Sequence, residues 1–420
     1  MTTPTLEDTK FETISNPYLL VSGIPIQMDK DGVRWADSLW HKDLQRHLTY
    51  LSDFTLAAPL IKSKIPHNFL PLSTSPLLPK IKHVDLPSNS SLLEAFLHLP
   101  RTFFILWQAI GKAELIHIGI ADWPRSLGWI STVITSFRKK FVILIIESAF
   151  WRVTGDEKRS WKKRVRELIS EKLNRWCVRR SNLCIFTQPE YLKQLASHTH
   201  EHCHVMAASW IDSENILSNK EAQDSWNSKL SQKPHLGRFL FASRTIEAKG
   251  LLVFIEAILL LQEQKIPLHF EFFNFGELSS ELKAALDKIK APTTFRILES
   301  VHYGDPFFKI LRDFDALIIP SLSDEQPRLV YDAYSQAVPV IGSDTAGLRI
   351  CVQHGTTGIL YPTGDRQALA TQLQRAIEIP EELKRMGIAS LEVVRPLTHT
   401  HMHLTRQNII SRALATYERS

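Results

Sequence analysis

The chain has 420 residues, enough for two or three domains with well-buried cores, and a net charge of +6. The charge is uneven: residues 1–210 hold 27 Lys or Arg against 19 Asp or Glu, and residues 211–420 hold 23 against 25. All ten Trp lie in the first 226 residues, which excludes a tandem of identical domains.

Sparse glycine removes further classes. There are only 16 Gly, and neither G-x-G-x-x-G nor G-x-x-x-x-G-K-[ST] occurs, so standard dinucleotide and P-loop readings lose support. Cys177, Cys184, Cys203 and Cys351 are scattered without a C-x-x-C, which argues against a zinc site or a disulfide framework. The N-terminus lacks the basic start and apolar stretch of a secretory signal. The longest apolar run, 141–146, is far short of the ~18 residues of a membrane span. A cytoplasmic protein, soluble or peripheral on the inner face of the cytoplasmic membrane, is expected.

In chain order, 17–23, 54–61, 114–119, 141–146, 183–187 and 204–209 read as strands. Helix-length segments lie between them, including 35–51, 92–110 and 159–177. Several runs are apolar on both faces, as parallel strands covered on both sides are. A doubly wound α/β domain is expected over 1–212. The polar stretch 213–236 reads as a linker. The pattern then restarts, with strands at 238–243, 268–275, 295–298, 316–321, 338–343 and 358–362. Helices alternate with them at 250–264, 279–289, 328–336 and 365–379. In the first, Leu251, Phe254, Ile255, Ile258 and Leu259 form a buried stripe. A second Rossmann-like domain over 237–390 follows, then a terminal helical segment over 391–420. Two such domains leave a cleft, and ligands of open α/β sheets sit beyond the carboxyl ends of the strands.

Two stretches carry chemistry. In FASRTIEAKG, Phe241–Gly250, Arg244 and Lys249 flank the turn from strand to helix. A guanidinium fork and an ammonium point charge suit a diphosphate, although solvated surface cations are an equally simple reading. In the second stretch, Pro320–Asp365, Asp324 and Glu325 occupy a loop and Asp332 lies one turn into the next helix. Carboxylates there can accept from sugar hydroxyls, or merely favour the helix start.

These stretches resemble the GT-B glycosyltransferases of family 4. The segment S-R-T-I-E-A-K-G is similar to that family's G-R-L-x-x-x-K-G, with Ser243 in place of Gly. D-E-Q-P-R-L-V-Y-D-A-Y-S-Q-A-V-P-V-I is similar to its E-x7-E segment, with Asp324 and Asp332 on the two Glu positions. A-G-L-R-I-C-V-Q-H-G-T-T-G-I-L-Y matches its downstream pattern, with Ile350 where the family has Glu. The resemblance implies a GT-B fold, two Rossmann-like domains facing a cleft. It implies a retaining hexosyltransferase-like enzyme that moves a sugar from a nucleoside diphosphate to an acceptor hydroxyl in glycan, glycolipid or polysaccharide biosynthesis. No metal and no cofactor would be needed, the nucleotide sugar being a substrate. Arg244 and Lys249 would stabilise the leaving diphosphate, Asp324 would contact the transferred sugar, and Asp332 would hold the ribose. Glu325 is the alternative to Asp324, because each Glu shortened to Asp draws its carboxylate back and the usual Gly-rich loop is here Glu325-Gln326-Pro327-Arg328. The terminal helix would cross back onto the first domain.

On the acceptor side the resemblance is weak. Gly23 in SGIP, His117 in AELIHIG and Asp122 in GIADWPRS are the candidates. A hydrogen-bonded structural His and a turn-forming Asp are the plainer readings of the last two. Residues 138–180 carry 14 Lys or Arg against 5 Asp or Glu, interleaved with Trp151, Trp161 and Trp176. A solvated basic helix face is the plainest reading of that band; it otherwise suits an anionic membrane surface or an anionic, lipid-linked or saccharide acceptor more than nucleic acid. The runs HTHEHCH (198–204) and HTHMH (399–403) place alternating His on one face if they are strands, but a metal site is not expected. Competing functions are a non-catalytic sugar-nucleotide-binding or membrane-associated scaffold and a nucleotide-sugar epimerase of the same fold.

Overall fold

The computed structural model describes residues 11–62, 64–66, 68–88, 91–120, 126–149, 151–152, 161–196, 202–231, 237–273 and 276–419. The chain divides into two compact units, the first formed by Met1–Trp151, Trp161–Ala207 and Thr400–Ser420, the second by Arg152–Ser160 and Ala208–His399.

Among the described residues the first unit has ten strands. They are β1 Tyr18–Val21, β2 Ile26–Met28, β3 Arg34–Asp37, β4 Phe54–Ile61, β5 Phe69–Pro71, β6 Lys82–Leu86, β7 Leu115–Gly119, β8 Phe141–Ile146, β9 Leu183–Phe186 and β10 Cys203–Val205. Their order is β10-β9-β8-β7-β1-β4-β2-β3-β5, with β6 also paired to β4. The long arm from β10 to β4 is parallel, and its inner strands are buried along their whole length, as the apolar runs predict. The edge differs from a plain doubly wound domain: β3 runs antiparallel to both β2 and β5. These segments are only three or four residues long, β2 and β3 mix polar with apolar residues and β5 ends in Pro, so the sequence pattern does not announce them. Helix His399–Tyr417 returns to this unit, where His403 Nε2 lies 3.0 Å from Asp43 Oδ1. HTHMH therefore opens a helix, not a strand, and His399 and His403 share a face at i, i+4.

Among the described residues the second unit has six parallel strands: β11 Gly237–Phe241, β12 Leu268–Phe273, β13 Thr294–Leu298, β14 Ala316–Ile319, β15 Val340–Ser343 and β16 Gly358–Tyr361. Their order is β13-β12-β11-β14-β15-β16. Chain direction across the sheet reverses between β11 and β14, which is the switch point of a Rossmann sheet. Helix Leu251–Glu263 buries Leu251, Phe254, Ile255 and Ile258 as the stripe predicts, while its fifth member, Leu259, is only half-buried at the margin of the same core. The stretch read as a linker is not all loop. Asn219–Ser231 is a helix, with Trp226 fully buried and its indole N–H donating to the Ala337 carbonyl at 2.8 Å. Ala222 and Trp226, at i, i+4, are its buried apolar residues and Leu230 packs beside them, too few to stand out among its Ser, Asn, Lys and Gln.

Candidate functional site

The site of the second unit grows from the switch point. Strands β11 and β14 are neighbours, with Phe239 opposite Ala316 and Leu240 opposite Leu317. Their carboxyl ends therefore emit two loops side by side. Backbone bonds join the loops: the Leu322 N–H donates to the Ala248 carbonyl at 2.9 Å, and the Ser321 hydroxyl reaches the same carbonyl at 3.3 Å. The Ser343 hydroxyl, from β15, donates to the Ser321 carbonyl at 2.5 Å. Gly250 makes the approach possible. It stands at φ 74°, and a Cβ there would fall 1.8 Å from the Pro320 carbonyl oxygen.

The two cations are placed differently. Arg244 is exposed and has no hydrogen-bond or ion-pair partner among the described residues. Lys249 ends a short turn before helix Leu251–Glu263 and donates to Glu325 Oε2 at 2.8 Å. The carboxylate opposed to the β11 loop is thus that of Glu325. Asp324 turns elsewhere, its Oδ1 accepting from the Ala346 N–H at 3.1 Å where helix Ala346–Cys351 begins. Gly347 lies directly under this loop, and a Cβ on it would be 2.2 Å from the Glu325 carbonyl oxygen and 2.7 Å from that of Asp324.

Asp332 is buried in helix Leu329–Ser335, with Oδ1 accepting from the Tyr303 hydroxyl at 2.7 Å. Burial first and the Asp332 carboxylate second push the Tyr303 hydroxyl pKa far upward, so the phenol keeps its proton and remains the donor. Sequence reasoning missed Tyr303. Its signal was positional, between β13 and the Asp-Pro opening of helix Asp305–Arg312. Gln326 bonds the Tyr331 hydroxyl at 3.0 Å, which ties the acidic loop to the same helix. Ile350 is exposed on helix Ala346–Cys351, so nothing internal replaces the Glu that the resemblance places there.

Two of the three acceptor-side candidates lie among the described residues. Gly23 lies in the bend after β1, half-buried, where the Ile24 N–H donates to the Ser22 hydroxyl at 3.1 Å. His117 lies within β7, only 6% exposed, with Nδ1 2.9 Å from the Tyr18 hydroxyl. Burial is the main cause holding its pKa well below the ordinary value, followed by the charges of Arg406 and His47. It lies in the interior beside Tyr18. Asp122 lies outside the described residues. In the basic band, Trp151 is buried and Trp176 packs against the core, leaving Trp161 as the exposed member of the three.

Residues 237–378 match the family Glycosyl transferases group 1. The amylovoran biosynthesis glycosyltransferase AmsK of Erwinia amylovora is 30% identical over 165 residues, 36% of this chain and 39% of AmsK. The putative colanic acid biosynthesis glycosyltransferase WcaL of Escherichia coli is 24% identical over 188 residues, 41% of this chain and 43% of WcaL. The chain thus spans well under half the length of these curated relatives. Among solved structures, Anabaena HepE in complex with UDP-glucose superposes with a TM-score of 0.63 at 13% identity, covering 96% of this chain and 100% of that one. Sucrose-phosphate synthase from Thermosynechococcus elongatus gives 0.66 at 15% identity, covering 96% and 100%. The fold is that of these GT-B structures, and residues 237–378 of the second unit are similar to the group 1 glycosyl transferases.

Proposed function

We propose that this protein is a retaining glycosyltransferase that moves a sugar from a nucleoside-diphosphate sugar to a saccharide hydroxyl during polysaccharide biosynthesis. The observation that carries the reading is the pairing of Lys249 with Glu325 at the switch point, with Arg244 exposed on the same loop. The relatives' names, AmsK and WcaL, support polysaccharide assembly, and the UDP-glucose held by HepE supports the donor class.

The chemistry follows from charge. In the transfer, the bond between the anomeric carbon and the phosphate oxygen breaks, and the diphosphate leaves with the electron pair. Arg244 and Lys249 offset the charge that develops there, which is commonly the largest catalytic contribution. Two cations on one loop make a metal unnecessary for that task, and no cofactor enters. Glu325, in preference to Asp324, accepts from hydroxyls of the transferred sugar, and Asp332, braced by Tyr303, faces the ribose. The acceptor oxygen bonds to the anomeric carbon on the face the diphosphate leaves, and its proton passes to a departing phosphate oxygen. No strong side-chain base is then needed.

The test is a thermal-shift screen of nucleoside diphosphates and their sugars, followed by turnover with the best binder. A ligand present at a hundredfold excess over its Kd adds about 2.7 kcal/mol to stability. Stabilisation by one base class and release of that nucleoside diphosphate in the presence of a saccharide acceptor are expected. Binding without turnover would leave a scaffold, and free isomer released without acceptor would indicate an epimerase.

A further inference from the structure

The first unit carries an outward face whose composition is unlike that of a solvated surface. Helix Trp161–Arg180 buries Ser170, Asn174, Cys177 and Val178, spaced i, i+4, i+7, i+8. Its exposed apolar residues, Trp161, Val165, Leu168 and Ile169, repeat the same spacing. At 3.6 residues per turn the two stripes point about 180° apart. Core packing therefore cannot account for the second stripe, of which Trp161 is 70% and Leu168 61% exposed. Further along that outer face stand Lys172 and Arg179, both exposed, and Lys162 and Arg164 flank it. The whole helix holds eight Lys or Arg against two Glu.

Helices of the same layer carry exposed apolar residues as well. Helices Leu99–Lys112, Leu127–Arg138 and Trp161–Arg180 pack side by side in that order, and helix Leu92–Leu97 abuts the first. They present Phe96, Leu97, Phe104 and Phe137, with Phe96 and Phe137 each 74% exposed. Helices Leu92–Leu97 and Trp161–Arg180 follow the carboxyl ends of β6 and β8, parallel members of one sheet. No helix among the described residues is long and apolar enough to cross a membrane.

We propose that this face is a docking surface for an anionic lipid bilayer, on which Trp161, Leu168, Ile169 and Phe96 enter the headgroup boundary while Lys162, Arg164 and Lys172 meet lipid phosphates. Apolar residues on one side of a helix flanked by cations form the pattern of an interfacial helix. Long cationic side chains can lie along the apolar surface and keep their charges at the phosphates. A second copy of the chain is a poor occupant, because it would set one strongly basic helix against another. Nucleic acid accounts for the cations and for Trp161, but not for exposed Leu168, Ile169 and Leu97. The inference is independent of the donor-site reading, since it concerns a different unit and its test uses no nucleotide.

The experiment is co-sedimentation of the full chain with vesicles of phosphatidylglycerol and phosphatidylcholine, and with phosphatidylcholine alone. Binding is expected only to the anionic vesicles, weakened by added salt. The set Trp161→Gln with Leu168→Gln, and separately Lys162→Glu with Arg164→Glu and Lys172→Glu, should each weaken it at least tenfold while the melting temperature holds. The pair Lys283→Glu with Lys288→Glu, exposed in the second unit, should leave it unchanged. Failure to bind anionic vesicles at low ionic strength overturns the proposal. So does equal loss in the control pair, capture of RNA without vesicle binding, or self-association that the apolar variants abolish.

Discussion

Lys249 and Glu325 meet at 2.8 Å although they lie 76 residues apart, because β11 and β14 are adjacent and parallel and their following loops are bonded together. Asp324, one residue earlier, spends its carboxylate on the Ala346 N–H instead. The two neighbouring acids therefore separate into different roles. Glu325→Gln should lower kcat/KM by about a hundredfold, a size typical of losing one preorganised group in the transition state. Asp324→Asn should cost activity little, and stability about 1 kcal/mol at most. Steady-state kinetics on both variants decides between them. A larger loss for Asp324→Asn would return the sugar-contacting role to Asp324.

Arg244 offers a cleaner separation of binding from folding. It is exposed and has no partner among the described residues, so Arg244→Ala should leave the melting temperature where it is. Turnover should fall by about 10²- to 10³-fold if the guanidinium meets the leaving diphosphate. Arg244→Lys should recover only part of this, because an ammonium cannot make the bidentate contact. A variant with wild-type turnover would remove Arg244 from the site.

Gly347 tests the loop itself. A Cβ at this position would stand 2.2 Å from the Glu325 carbonyl, and backbone has no rotamer by which to yield. Gly347→Ala should move the loop carrying Glu325 and raise the KM for the donor at least tenfold. Helix Ala346–Cys351 should persist, since Ala is a better helix residue than Gly. An unchanged KM would show that the position of this loop does not matter to the donor.

How much of this was legible in the sequence depends on how each signal is carried. The strands through Phe141–Ile146 and Ala316–Ile319 are buried on both faces and read as unbroken apolar runs. The stripe from Leu251 to Ile258 is as plain for a helix. The antiparallel edge β2-β3-β5 is short and partly exposed, so its residues alternate too little to be recognised. At the site, Arg244, Lys249, Glu325 and Asp332 could be found because chemistry and spacing mark them. Their pairing could not, because register between β11 and β14 decides which acid faces Lys249. Tyr303 was hidden because a lone Tyr in a loop carries no pattern until Asp332 is placed beside it.

Trp226 shows how little sequence is needed to anchor a polar helix. It is fully buried, its indole N–H is spent on Ala337, and Lys229 lies 3.6 Å from its ring centroid. Trp226→Ala should destabilise the second unit by about 3–5 kcal/mol, the usual cost of emptying a large aromatic site. Trp226→Phe should cost less, chiefly the Ala337 bond. Urea unfolding of both variants measures the difference, and a loss under 1 kcal/mol in Trp226→Ala would mean that Asn219–Ser231 behaves as a linker after all.

His117 makes the first unit sensitive to acid. Its native pKa lies well below the ordinary 6.5, because burial disfavours the imidazolium and Arg406 and His47 add to the penalty. Asp43 is the acid that opposes this, while His403 is itself held low by burial. The sign follows from proton counts. Below about pH 6.5 the unfolded chain binds a proton at this position that the native state refuses, so acid favours unfolding. The stabilising effect is fully present above that pH and is lost as the pH falls. Each such proton contributes a slope of about 1.4 kcal/mol per pH unit. His117→Gln removes one titrating group and should flatten the acid limb by that amount. Urea unfolding followed from pH 7.5 to 5.5 reads the slope directly, and an acid limb as steep as wild type would show that His117 does not titrate on unfolding.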